Sequence, residues 1–216
     1  MIVEAYEPYH IGIKLDLNVN AVSLRDKLKK LLKKEKYEVE KEFAVQQQIS
    51  IEPASEILGV LNGIRIELNF VAQAVNIIGD DPERVFEQFE KIVKLFSDIG
   101  YDTNIAIAFY EIMANIIVKS EKNPVELLAS AVKLNIDKQF IDRGVNVTGI
   151  KISNKLRPEM RDVFTDMSIQ PSPVSPSNRF FIQFVYRSKS KDDIKIFRAK
   201  LEEVVLKSLN SLGTVP

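Results

Sequence analysis

The sequence predicts an α+β protein in which an antiparallel sheet carries helices on one side. Three observations predict it. Segments that alternate apolar and polar residues recur along the chain, the period of a strand with one wet face. Stripes at helical spacing separate those segments, and capping residues stand where the stripes begin. A turn pair, Asn62-Gly63, divides one long β-rich run in the way an antiparallel hairpin requires.

The elements follow in order. Ile11, Ile13, Leu15, Leu17 and Val19 alternate with His10, Gly12, Lys14, Asp16 and Asn18, which predicts a strand over 10–19. Leu24, Leu28, Leu31 and Leu32 then recur at helical spacing, with Ser23 and Asp26 placed as a capping pair, so a helix is expected over 22–34. Residues 43–51 and 57–78 read as further strands. Asp81-Pro82 is a cap followed by proline at the first helical position, and Val85, Phe86, Phe89, Ile92, Val93, Phe96 and Ile99 form a broad stripe ending at Gly100. Residues 105–118 are β-rich. Asn123-Pro124 with Glu126 opens a helix expected to run to Phe140, with Gly144 ending it. Strands are expected over 145–153, 162–170 and 179–187, before Ser190 and Asp193 cap a last helix carrying Ile194, Phe197, Leu201, Val204 and Val205.

Residues 10–100 thus read strand, helix, strands, long helix, and residues 104–212 read the same way again. Ile11-Gly12-Ile13 answers Ile105-Ala106-Ile107, and the chain divides into an α+β half over 1–101 and a second over 102–216. This order, with Asp81-Pro82-Glu83-Arg84 leading into the helix that closes the first half, resembles the duplicated fold of the TATA-box-binding protein family. The resemblance implies a fold over most of the chain. It brings no functional residue with it, since no phenylalanine pair matches that family's DNA-kinking wedges.

Composition removes much chemistry. The 216 residues contain no Cys and one His, which excludes disulfides, thiol nucleophiles, Cys-based metal sites and any site needing two imidazoles. Abundant Ile, Val, Lys and Glu without Trp is a composition shared by heat-adapted proteins and by AT-rich genomes. No basic stretch followed by an apolar one opens the chain, and no apolar run is long enough to span a bilayer, so a soluble, cytoplasmic protein is expected. The eight glycines form no phosphate loop, and no cofactor is expected. His10, beside Tyr9 and near Glu7, reads as an exposed imidazole at a strand start. Asp80-Asp81 and Asp192-Asp193 read as helix caps, and the lysines of the first helix, from Lys27 to Lys36, as a solvated face. The proline-bearing stretch 170–178 reads as a stiffened loop between strands.

Lys plus Arg and Asp plus Glu are both 30, yet the charge is uneven. Residues 1–100 carry 13 basic and 17 acidic side chains, leaving 17 and 13 for the rest. Five of the nine arginines, Arg143, Arg157, Arg161, Arg179 and Arg187, lie between 143 and 187. Within 179–187, Phe180, Ile182, Phe184 and Tyr186 take one face and Arg179, Phe181, Gln183, Val185 and Arg187 the other. Cations bracketing an aromatic suit phosphate neutralisation and base stacking. The wet face of the sheet is expected to add Lys14, Asn18, Gln46, Gln48, Arg65, Asn69, Asn146, Thr148 and Lys151. The candidate partner face is therefore Arg179, Phe181, Gln183, Arg187, Lys151, Arg157 and Arg161. The function expected first is non-catalytic: a protein partner or self-association. Nucleic-acid binding through the arginine face is the alternative, and a carboxylate-dependent enzyme using residues such as Asp162 and Asp166 is a third class.

Overall fold

The structure, a computed structural model, describes residues 1–39, 54–132, 148–154 and 163–212. Among the described residues an eight-stranded antiparallel sheet carries five helices. In chain order the elements are β1 (Ile2–Leu15), α1 (Ala21–Lys34), β2 (Ser55–Leu61), β3 (Ile64–Asn69), β4 (Ala74–Gly79), α2 (Pro82–Asp98), α3 (Thr103–Ala106), β5 (Ile107–Lys119), α4 (Pro124–Ala131), β6 (Ile150–Ser153), β7 (Val163–Pro171), β8 (Arg179–Ser188) and α5 (Lys191–Leu212). The strand order across the sheet is β2-β3-β4-β1-β5-β8-β7-β6. Each half therefore contributes four neighbouring strands, and the two first strands meet at the centre.

Alternation decides which side is covered. Ile11 and Ile13 of β1, Ile112 and Ile116 of β5, and Ile182 and Phe184 of β8 all point to the helices and are buried. Leu24, Leu28 and Leu32 of α1, Phe89, Ile92 and Phe96 of α2, and Leu201, Val205 and Leu209 of α5 close over them in one continuous core. Phe89 meets the Tyr110 ring edge-on at a centroid distance of 5.5 Å, bridging α2 to the second half's first strand. Arg198 of α5 joins the halves again, pairing with Glu83 of α2 while its guanidinium lies 4.7 Å from the Phe86 ring. Gly79 has a steric role: a Cβ there would come within 2.5 Å of Ile64 Cδ1 and 3.0 Å of Val85. The start of α2 is seated that closely on the sheet.

Several local expectations hold. Asn62 and Gly63 turn the β2–β3 hairpin at φ of 50° and 81°. Asp81 Oδ1 accepts from the N–H groups of Glu83 and Arg84 at 2.9 and 3.2 Å, and Ser190 Oγ accepts from the Asp193 N–H at 3.2 Å.

Others are corrected. The first strand begins at Ile2 and ends at Leu15, eight residues earlier and four residues sooner than its alternation indicated. Glu7-Pro8 disguises the early part; proline is accommodated there because the ladder with β5 shifts register between Tyr6 and Tyr9, and pairing with β4 begins only at Tyr9. Asp16 ends the strand by accepting the Asn18 N–H in a turn, which leaves Leu17 83% exposed. The cap of α1 is Asn20, not Ser23: Asn20 Oδ1 accepts the Ser23 N–H at 2.9 Å. Ile105 and Ala106 lie in the short α3, capped by Asp102, and not in a strand. Asn20 caps α1, the helix after β1, and Asn123 caps α4, the helix after β5. The expected strand over 43–51 and the later part of the helix after Asn123 fall outside the described residues.

The cap assignment is testable by thermal or urea unfolding. Asn20→Ala is expected to cost about 1 kcal/mol, the usual value of an N-cap side chain. Ser23→Ala is expected to stay within about 0.5 kcal/mol of the parent, as for other exposed positions; the reverse ranking would return the cap to Ser23.

Candidate binding face on the open side of the sheet

The side of the sheet away from the helices is built in rows, because residues paired across antiparallel strands share a face. One row crosses β3, β4, β1, β5, β8 and β7 as Glu67, Asn76, Gly12, Glu111, Arg187 and Phe164. The next runs through Arg65, Ile78, His10, Met113, Val185 and Asp166. Asn69, Ala74, Lys14 and Phe109 form a shorter row on the other flank. Arg179, Phe181, Gln183, Val185 and Arg187 do share this face, opposite the buried Phe180, Ile182, Phe184 and Tyr186.

The described arginines of this face and Lys151 are not free to meet phosphate. Arg179 Nε lies 2.6 Å from Glu4 Oε2. Arg187 donates from Nε to Glu111 Oε2 at 2.9 Å and again from its terminal nitrogen. Its guanidinium is further held between the rings of Phe109 and Phe164, 4.2 and 5.3 Å from their centroids. Lys151 pairs with Asp166 at 3.0 Å, and Arg65 with Glu67 at 3.8 Å. Glu67 comes from the cation's own strand and Glu111 and Asp166 from a paired one, while Glu4 reaches Arg179 from β1, on the far side of β5. Between the ion pairs stand Phe109, Met113, Ile117, Phe181 and Val185, all half-buried. Gln183 is exposed. Arg157, Arg161, Gln46, Gln48, Asn146 and Asp162 lie outside the described residues. Asn18 sits in the turn after β1 and not in the sheet.

His10 departs from its expected place. It lies within β1 between Ile78 and Met113, not at an exposed strand end. Its Nε2 is buried and has no hydrogen-bond partner among the described residues. Burial pushes the imidazole pKa down to about 4, with the neighbouring Arg65 charge adding to the effect. His10 is neutral at physiological pH. Asp166, one of the carboxylates considered for catalysis, is occupied by Lys151. Among the described residues no three His, Asp or Glu side chains gather in a metal-binding group, and no helix is long and apolar enough to cross a membrane.

The His10 environment makes stability depend on pH in a definite direction. Its folded pKa lies below the unfolded value near 6.5, so the unfolded chain binds the proton more tightly. Stability is full above pH 6.5 and falls as pH drops toward 4. Comparing the parent with His10→Gln isolates this from the carboxylates: the parent is expected to lose about 2 kcal/mol more than the variant between pH 7.5 and 5 in urea unfolding. Parallel pH profiles would show that the imidazole is not buried.

The chain matches no protein-family model, no curated protein and no solved structure, so the chemistry of this face is read from its own residues.

Proposed function

We propose that the protein is a non-catalytic association module whose working surface is the open face of the sheet, with a second copy of the chain as its occupant. One observation carries this reading: Arg65, Lys151, Arg179 and Arg187 of that face are already paired with carboxylates of the chain, and half-buried apolar side chains fill the spaces between them. A surface of paired charges and aliphatic or aromatic groups suits the partly apolar core and polar rim of a protein interface. A polyphosphate would have to compete with Glu4 for Arg179 and with Glu111 for Arg187, which weakens the counterion-release term that drives nucleic-acid binding. Both signs alternate across the face, and the chain is formally neutral, so no net repulsion opposes a copy docking on itself. The resemblance in element order to the TATA-box-binding protein family lends no DNA contact to this reading.

Sedimentation velocity from about 1 to 200 μM, the range over which weak homodimers form, tests it. The parent is expected to shift toward dimer across that range, and Phe181→Glu, which places a charge at the centre of the apolar strip, is expected to remain monomeric with an unchanged thermal midpoint. A parent that stays monomeric throughout, or a variant that dimerises equally well, overturns self-association through this face. Saturable oligonucleotide binding that weakens in the double variant Arg179→Ala, Arg187→Ala would support the nucleic-acid reading instead.

A further inference from the structure

The open face has a gap at Gly12. Its neighbours in the row, Asn76 and Glu111, project side chains and Gly12 does not; a Cβ there would lie 3.2 Å from Asn76 Oδ1 and 3.9 Å from Glu111 Cβ. The gap opens into a cavity of about 260 Å³ lined by Lys14, Asn76, Phe109, Glu111, Met113 and Arg187, with Ala72 and Ala74 as a low wall. At ~30 Å³ per water the space corresponds to about nine waters, the size class of a short organic acid.

Charge sets the sign of the ligand. Arg187 is committed to Glu111 and to two aromatic rings. Lys14 differs from the other cations of this face. Its ammonium donates to the Ala72 carbonyl, a neutral acceptor, and it has no carboxylate partner among the described residues. Two of its three donors remain. Lys14 and Arg187 against Glu111 leave the cavity with one net positive charge. Asn76 also lines the cavity; its Oδ1 is the atom beside Gly12, and its amide N–H groups make no hydrogen bond to the described residues, so they are available as donors. The wall beyond is apolar: Phe109, Met113 and the two alanines.

We infer that this cavity binds an organic monoanion, its carboxylate on Lys14 Nζ and the Asn76 amide and its short apolar body against Phe109 and Met113. A buried-edge carboxylate gains charge-assisted bonds there, and the apolar body gains burial that an inorganic anion lacks. The site lies on the same open face but needs no second copy of the chain to be complete. A free carboxylic acid and the C-terminal carboxylate of a peptide share this chemistry.

Isothermal titration of the full chain with hexanoate, hexanamide, inorganic phosphate and N-acetyl-leucine tests the inference. Hexanoate is expected to bind saturably, and hexanamide and phosphate at least about tenfold more weakly. Lys14→Met is expected to weaken hexanoate by about tenfold or more while the circular dichroism of the free protein is unchanged. Gly12→Ala, whose Cβ enters the gap, provides a second variant with the charge retained and is expected to weaken hexanoate too. N-acetyl-leucine binding more tightly than hexanoate assigns the site to chain ends, and the reverse assigns it to free acids. Hexanoate binding retained in Phe181→Glu supports the cavity whether or not the chain self-associates. Absence of saturation by about 20 mM hexanoate, equal affinity for hexanamide or phosphate, or unchanged affinity in Lys14→Met overturns it.

Discussion

The ladder between β1 and β5 holds the two halves in one sheet, running from Ile2 opposite Lys119 to Leu15 opposite Ile107. Without it each half would be a four-stranded sheet with a long, apolar edge, the kind of edge that pairs with whatever strand it meets. With it, Ile11 and Ile13 lie beside Ile112 and Tyr110 under the same helices, and the core becomes continuous. The contacts between α2 and α5 sit above this seam and depend on it. So does the open face, because the rows that bring Gly12 to Glu111 and Arg187 exist only when β1, β5 and β8 are in register.

Physical reasons separate what the sequence made legible from what it did not. Signals confined to a few residues were readable: Asp81-Pro82 ahead of the α2 stripe, Asn62-Gly63 at the hairpin, and the alternation in β8 that divides Phe180 and Ile182 from Arg179 and Phe181. Each is a local steric or hydrogen-bonding requirement. The early part of β1 was hidden because a proline in a strand is acceptable only where a register shift relieves it, and the shift is a property of the pair with β5. Asn20 and Ser23 are both good caps by residue type, and where the helix starts within one turn decides between them.

The candidate face shows the same division more sharply. Its membership within β8 followed from the period of two. Its electrostatic character did not, because Glu4 reaches Arg179 and Glu111 reaches Arg187 from strands far away in sequence. A cluster of arginines in one stretch of chain therefore reads as a basic patch until the neighbouring strands are in place. His10 follows the same logic: the residues that flank it across the sheet, Ile78 and Met113, belong to strands far away in sequence. Gly12, Asn76 and Glu111 carry no motif, and only cross-strand pairing makes them neighbours.

The seam between β1 and β5 has a kinetic consequence. The β2–β3–β4 meander closes over short turns, and β7 and β8 are likewise close in sequence, so their loops cost little entropy to form. Joining Ile2 to Lys119 requires a far longer loop to close before any of its contacts is made. High contact order of this kind slows folding and lengthens the time for which edges stand open. The interval before the seam zips is thus when the chain is most exposed to exchanging strands with another copy of itself.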